Sequence, residues 1–486
     1  MRSKIKLIRC LVTAAALFSA SSLFAQTNVP VSGGVPAPAV TPQRLPAPYK
    51  ADVKLNYVRT WSAKKPEKQA AAIVQKPVEE VNVVTSYADG LGRPIQIVSR
   101  QATPSKRDMV IPKIFNEMES EEYSYLPFAS LSLIPGDNTS DGGFKYNAFQ
   151  QDSVFSKEQF PLEQFIYSRE LIENSPLKRT TKRLSAGNSW VGSNRGKITK
   201  YGANAIADSV REWQIDGTTA LPYTDMFFPP GVLTKTVTEN ENGKLSIEYK
   251  NKENNIILKK IQSATNPSEG TSGWLCTYYV YDVFNNLRFV LSPKSVEYAN
   301  GLTAIKKTLP ASVVNELCFS YYYDSYGRVV RKRIPGAGDF FSVYDAKGRV
   351  VLTQDSVQRF QGKWLYNKYD DCNRLIQSGL WTNNGSFVSH TLAAKSSVAY
   401  PVLVSGTFII LNEVFYDNYD WANGIAGISK NLDMSNINAG NFIMNGGQAP
   451  FFARPLTASY QTKGQITGAK TNILGSQNYL YTLNIY

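Results

Sequence analysis

The feature that most restricts what this chain can fold into is a short phrase that returns four times: tyrosine, aspartate, two free residues, then glycine or asparagine. It lies within "YYVYDVFNNLRFVLSP", "YYYDSYGRVVRKRIPG", "FSVYDAKGRVVLTQD" and "YNKYDDCNRLIQSGLW", which begin at Tyr278, Tyr321, Phe341 and Tyr366. The tyrosines are Tyr281, Tyr323, Tyr344 and Tyr369, separated by 42, 21 and 25 residues. One hairpin occupies roughly 20 residues at this spacing, so the pattern reads as a repeat architecture.

Each position has a physical reason. Asp282, Asp324, Asp345 and Asp370 can accept hydrogen bonds from backbone N–H groups a few residues on, closing a turn before tertiary contacts form. Three residues later the chain must adopt positive φ to return as a second strand, and Asn285, Gly327, Gly348 and Asn373 do so cheaply. Arg328, Arg349 and Arg374 follow where a guanidinium can lie over an aromatic ring or meet the turn carboxylate. The tyrosines would supply contacts between neighbouring hairpins. A single hairpin is marginal, whereas a row supports itself.

Weaker copies extend the pattern. Asp89, Gly92 and Arg93 keep the order after Tyr87, "YKNKENNIILKK" from Tyr249 uses Asn251 and Asn254, and "FNEMESE" from Phe115 has lost the glycine and the arginine. Twenty-eight tyrosines, 23 phenylalanines and seven tryptophans agree with a strand-rich chain.

The two ends of the mature chain are set by other signals. Residues 1–25 combine basic Arg2, Lys4, Lys6 and Arg9, an apolar run from Leu11 to Phe18 and Leu23-Phe24-Ala25, which reads as a secretory signal peptide cleaved after Ala25. Export to the periplasm, the extracellular space or the cell surface is the expectation, and no later run is long enough to form a transmembrane helix. Signal removal leaves 461 residues and lowers the formal charge from +14 to +10. Residues 26–52, with six prolines between Pro30 and Pro48, read as a disordered linker. Residues 53–230 read as a β-rich N-terminal domain with one or two short helices, placed near Phe149 to Phe160, and residues 231–486 as the hairpin-repeat sheet.

Three cysteines remain, Cys276, Cys318 and Cys372, in an oxidising compartment. Cys276 and Cys318 each precede a repeat tyrosine by five residues, so in a meander one strand separates them, about 9 to 10 Å, beyond disulfide reach. Buried free thiols are expected, with a Cys276–Cys318 pairing as the rival if the strands do not run as a meander.

"YDSYGRVV" and "YDAKGRVV" resemble the YD repeats of the RHS (rearrangement hotspot) family. "SYADGLGRPIQ", "EEYSYLPFAS", "SPLKRTTKRLSAGNSWVGSNRG", "GWLCTYYVYD" and "KWLYNKYDDCNR" resemble large RHS-type proteins of Bacteroidetes with an uncharacterised N-terminal domain. The resemblance runs from about residue 55 to the end. It implies a mainly β, curved and incomplete shell of antiparallel hairpins. It also implies, for the family, a C-terminal and often toxic domain freed by aspartyl self-cleavage at Asp-Pro motifs. No Asp-Pro dipeptide occurs here, and the sequence stops at "YLYTLNIY" with Tyr486 where another YD repeat would begin. The expectation is therefore a truncated shell without cargo, whose partner is the missing shell or toxin portion or another protein at an open sheet edge.

Catalytic chemistry is sparse. His390 is alone, in a Ser/Asn/Gly-rich stretch read as a solvated loop, and no Cys-x-x-Cys pair or phosphate-binding loop is present. Ser62 and Lys65 match a serine–lysine spacing that arises often by chance. Cofactors and metals are not expected. The basic groups Lys178, Arg179, Lys182, Arg183 and Arg331, Lys332, Arg333 read as solvated faces or edge protection, and nucleic acid is not an expected partner. The function that follows is a non-catalytic, secreted, polymorphic-toxin-like shell segment. The alternative is a cell-surface adhesion protein holding glycan or a protein partner through exposed aromatics.

Overall fold

Strand alternation governs the computed structural model, which describes residues 40–50, 52–64, 67, 69–135, 137–431 and 461–486. The expected signal peptide (1–25), the start of the 26–52 stretch and Lys65 lie outside the described residues. The architecture is mainly β, with antiparallel sheets and few helices. Two compact units divide the chain, one of Met1–Lys200 with Thr238–Leu245, the other of Tyr201–Val237 with Ser246–Tyr486.

The first unit holds a sheet of β1 (Asn56–Ala63), β2 (Val81–Ala88), β3 (Pro94–Ser99), β4 (Met109–Pro112) and β6 (Phe128–Ala129), in that order. In β2, Val81, Val83, Thr85 and Tyr87 are buried while Asn82 and Val84 face out, the period-two signature of a sheet with one covered face. That face packs with Ile95, Val98, Val110 and Phe128. The same unit pairs β5 (Tyr123–Tyr125) with β7 (Tyr167–Ile172), β7 with β8 (Thr180–Leu184) and β8 with β9 (Lys197–Ala203). Helix α1 (Ala148–Gln159) buries Ala148, Phe149 and Gln151.

Two polar clamps position this core. Gln96 exchanges two hydrogen bonds with the backbone of Lys145, at 2.8 and 3.0 Å. The Lys145 ammonium, almost fully buried, donates to Asp108 at 2.8 Å, Asp141 at 3.0 Å and the Asn138 carbonyl at 2.6 Å. Three acceptors compensate the desolvation of that charge.

The disordered-linker expectation fails from Val40 onward. Val40 and Tyr49 pack against the aromatic core of the first unit, Gln43 N–H donates to the Tyr167 hydroxyl at 2.8 Å, and Tyr49 N–H donates to the Tyr146 carbonyl at 2.8 Å. Prolines had masked the one aromatic anchor, Tyr49, whose ring meets Phe144 at 5.1 Å.

In the second unit, β10 (Arg211–Ile215), β11 (Pro222–Phe227) and β17 (Lys307–Thr308) form a small sheet. The large sheet runs through β12 (Thr234–Glu239), β13 (Leu245–Lys250), β14 (Ile256–Gln262), β15 (Trp274–Tyr281), β16 (Leu287–Leu291), β18 (Cys318–Tyr323), β19 (Val329–Ile334), β20 (Gly338–Tyr344) and β21 (Val350–Gln354). It continues through β22 (Lys363–Tyr369), β23 (Leu375–Thr382), β24 (Phe408–Tyr416), β25 (Ile466–Asn472) and β26 (Tyr479–Leu483), each strand antiparallel to the next.

The two ends of these strands differ. One end carries the short Asx turns between β13 and β14, β15 and β16, β18 and β19, β20 and β21, and β22 and β23. The other end carries helices: α2 (Pro293–Gly301) and α3 (Ala311–Leu317) before β18, α4 (Ser356–Phe360) before β22 and α5 (Phe387–Ser396) before β24. The repeat motif gave no sign of these helices. Their local signals are caps: Ser292 and Asp355 each accept a hydrogen bond from the backbone N–H three residues on, as does Ser386.

Two further readings are corrected, for His390 and Cys372, and the one for Cys276 and Cys318 holds. His390 is not in a solvated loop but within α5, and is 4% exposed. Cys276 and Cys318 are buried free thiols on β15 and β18, with β16 between them. Cys372 is a free thiol too, but exposed, because it occupies the outer position of the turn after Asp370. Among the described residues no helix is long and apolar enough to cross a membrane.

Gly379 shows how closely the sheet packs: a Cβ there would fall 2.1 Å from the Ile409 carbonyl and 2.8 Å from the Tyr366 ring. Gly379→Ala is expected to cost about 1 to 3 kcal/mol, read as a lower urea midpoint of the full chain. A midpoint within error of the parent would show that the close approach is not needed.

Candidate functional site: a row of interlocked turns

The repeat turns share one hydrogen-bond plan. In each, the N–H of the Asx residue donates to the carbonyl four residues on, and the N–H of the third residue on donates back to the Asx carbonyl. The distances are 2.9 and 3.0 Å for Asp282, 3.0 and 3.0 Å for Asp324 and Asp345, and 3.0 and 3.1 Å for Asp370. The side-chain Oδ1 then accepts from the fourth N–H as well, at 2.9 Å for Asp282, 3.0 Å for Asp324 and 2.8 Å for Asp345 and Asp370. The third position sits at φ 66° in Asn285, 73° in Gly327, 79° in Gly348 and 63° in Asn373. This left-handed conformation explains the glycine-or-asparagine choice.

The arginine completes the turn and then reaches beyond it. Nε of Arg328, Arg349 and Arg374 donates to Oδ2 of Asp324, Asp345 and Asp370 at 2.8, 2.7 and 2.6 Å. Each guanidinium also lies over the tyrosine of the next hairpin: Arg328 over Tyr344 at 4.4 Å, Arg349 over Tyr369 at 4.9 Å and Arg374 over Tyr416 at 4.3 Å. Those tyrosines donate back across the seam to the carbonyl that follows the previous turn. Tyr344 meets Val329 at 3.0 Å, Tyr369 meets Val350 at 2.9 Å, and Tyr416 meets Leu375 at 3.3 Å. Tyr281 and Tyr323 do the same to Ile256 at 3.2 Å and Leu287 at 2.8 Å. Aspartate, arginine and tyrosine thus bind each hairpin to its successor.

The weaker copies obey the same plan with substitutions. Asn251 closes its turn with Asn254 at φ 63°. Asp89 closes on Gly92 and is paired by Arg93 at 2.7 Å. Tyr87 stands outside the plan, since its hydroxyl donates to the Gly142 carbonyl inside the first unit. The ring that Arg93 covers is Phe115, at 5.2 Å, the aromatic residue before Asn116. Asn116 builds the next turn, where Glu119 holds φ 59° in place of glycine.

Two members escape a search at fixed spacing with a leading tyrosine. Asn240 with Gly243 at φ 72° forms the same turn without a preceding tyrosine. Asp417 pairs with residues far along the chain: its N–H donates to Gln465 at 3.1 Å and Gly464 N–H donates to its carboxylate at 2.6 Å. The dipeptide Tyr416-Asp417 was visible, but its glycine lies 47 residues on, so a fixed-spacing search misses it. Tyr486 donates to the Ile466 carbonyl at 2.9 Å, the same bond that the repeat tyrosines make.

Electrostatics follow from these contacts. Burial pushes the Asp324 carboxyl up, but the Arg328 side chain and turn N–H groups outweigh it and the net displacement is downward; Asp370 behaves alike with Arg374. Arg374 also clasps Asp417 through two bonds of 2.9 and 2.6 Å, which holds that carboxyl low.

The basic runs are largely engaged within the fold. Arg331 and Arg333 both bind Asp339 at 3.1 Å, while Arg179 binds Glu173 and Arg183 binds Glu170 at 2.8 Å. Among the described residues no group of His, Cys, Asp and Glu could hold a metal ion.

With the geometry in place, residues 59–203 match a family described as a domain of unknown function, DUF6443. No curated protein matches the chain. Among solved structures it is similar to the crystal structure of TcdB2-TccC3-TEV, with a TM-score of 0.40 and 15% identity over 70% of this chain and 14% of that one. It is also similar to the crystal structure of TcdB2-TccC3, with a TM-score of 0.38 and 14% identity over 69% of this chain and 13% of that chain. A third is the Photorhabdus luminescens Tc holotoxin pore, with a TM-score of 0.37 and 13% identity over 69% and 13% of the respective chains. The chain therefore spans far less than two thirds of the length of these structures.

Gly327 isolates the backbone requirement, because a Cβ there would meet nothing within 4 Å. Gly327→Val is expected to lose about 1 to 2 kcal/mol and Gly327→Asn much less, measured by urea unfolding. Equal losses for the two would refute the left-handed requirement. The Asp324 carboxyl, depressed from 3.8, contributes stability that is present above that value and lost as pH falls through the lower folded one. Asp324→Asn should therefore flatten the stability profile below about pH 4, where acid titration followed by circular dichroism reads it.

Proposed function

We propose that this chain is a wall segment of an exported RHS/YD-repeat shell and that its work is structural, not catalytic. The observation that carries this reading is the seam of Arg328–Tyr344, Arg349–Tyr369 and Arg374–Tyr416, which joins each hairpin to the next. Such a device serves extension of a continuous surface, and it commits the aspartates and arginines of the turns to one another. The sequence resemblance to Bacteroidetes RHS-type proteins supports the same reading, with further shell or an enclosed polypeptide as the natural partner.

The test is to tag the protein at its natural locus, fractionate the cells and size the extracted material under native conditions. A wall segment leaves the cytoplasm and runs in an assembly larger than one chain. A cytoplasmic monomer, or turnover in a hydrolase panel that one point substitution abolishes, would overturn the proposal.

A second reading, adhesion through aromatics, draws on the turn tips. Phe284 and Tyr326 are 82% and 77% exposed on adjacent hairpins. Glycan-array binding lost in both Phe284→Ser and Tyr326→Ser would favour it over the wall reading.

A further inference from the structure

The chain has one histidine, and its surroundings are built rather than incidental. His390 projects from α5 into an aromatic cage: its ring lies 4.7 Å from Trp364 of β22, 5.4 Å from Trp381 of β23 and 6.2 Å from Tyr400. Nδ1 shares a hydrogen bond with the Tyr400 hydroxyl, and Nε2 lies against the backbone of Gly385 without a partner in hydrogen-bond geometry. Next to it, Phe387 stacks on Phe341 of β20 at 4.8 Å, so α5 is fixed to the sheet by these two side chains.

Burial opposes protonation in this cage, and the Gly385 backbone offsets it only in part. A neutral imidazole accepts the Tyr400 proton at Nδ1, whereas an imidazolium must donate there, which turns the hydroxyl into an acceptor and leaves its own proton unbound. The ionisable groups on the surrounding elements offer no counter-charge. Strand β22 brings Lys363, Tyr366, Lys368 and Tyr369, α5 brings Lys395, and the following segment brings Tyr400. From β20 come Tyr344, which faces Arg328, and Asp339, whose carboxylate is already held by Arg331 and Arg333. Arg359, over Phe341 at 5.0 Å, adds another cation.

We propose that His390 is an acid-sensitive latch, and that its protonation frees α5 and the segment through Tyr400 from the sheet, uncovering Trp364 and Trp381. Burial holds the caged imidazole below its ordinary value of 6.5. The released imidazole regains that value, so below it the open form binds more protons and opening is favoured as pH falls.

The full chain is tested by hydrogen–deuterium exchange across 387–400, corrected for the intrinsic pH dependence of exchange. Between pH 6.5 and 5.5 the opening equilibrium should rise by up to about fivefold, while the strands of the first unit stay unchanged. His390→Phe fills the cage without a titrating group and should remove the acid response. Tyr400→Phe, a milder change, removes the hydroxyl that opposes protonation at Nδ1 and should shrink the acid response, because the closed and released imidazoles then differ less in proton affinity. The single histidine also gives one NMR resonance, expected to titrate below 6.5 in the folded chain. A resonance titrating at the ordinary value, or an acid response that persists in His390→Phe, would overturn the latch.

Discussion

The structure depends on a backbone constraint before it depends on any contact between side chains. A hairpin can return on itself in five residues only if one of them takes a left-handed conformation, and Gly327, Gly348, Asn285 and Asn373 supply it. Once that bend exists, the turn carboxylate has N–H groups to accept from, the arginine has a fixed carboxylate to lean on, and its guanidinium is delivered over the next tyrosine. Each contact is modest alone, since exposed ion pairs and ring contacts contribute about 1 kcal/mol or less. Their order matters more than their individual size, because the local turn pre-places the groups that make the non-local seam.

Much of this was legible in the sequence because the turn is local. Tyr-Asp-x-x-Gly encodes a donor, an acceptor and a conformation within a few residues, so the hairpins at Asp282, Asp324, Asp345 and Asp370 could be read directly. The connections at the opposite strand ends were not legible. Helices α2 to α5 are short and depend on packing against the sheet, and their caps at Ser292, Asp355 and Ser386 resemble ordinary loop residues. His390 misled for the same reason: its flanking serines, asparagines and glycine describe a loop, while the residues that bury it, Trp364 and Trp381, lie on strands distant in sequence.

The polar interior obeys a consistent rule. Lys145 and Lys260 are both buried, and each is surrounded by acceptors; Lys260 is held by the carbonyls of Asp208, Glu269 and Gly270 at 2.9, 3.1 and 2.7 Å. Burial lowers the Lys260 ammonium to about 8, and nearby Cys276 and Asp208 oppose that displacement. In both units a lysine gathers irregular chain around one positive point. The sheet supplies regular hydrogen bonding, and the lysines anchor segments that have none.

The turn at Asp417 carries an implication for how such a chain can vary. Its closing bonds join Asp417 to Gly464 and Gln465, although 44 residues intervene between Asp417 and Thr462. Register at this corner is therefore set by who bonds to whom, not by how far apart they are in the gene. Lengthening a tether costs only about 0.6 kcal/mol for each doubling, so a new stretch of polypeptide can be spliced into a bend while the strands on either side keep their partners. Bends of this kind are ports where sequence can be added without redrawing the wall.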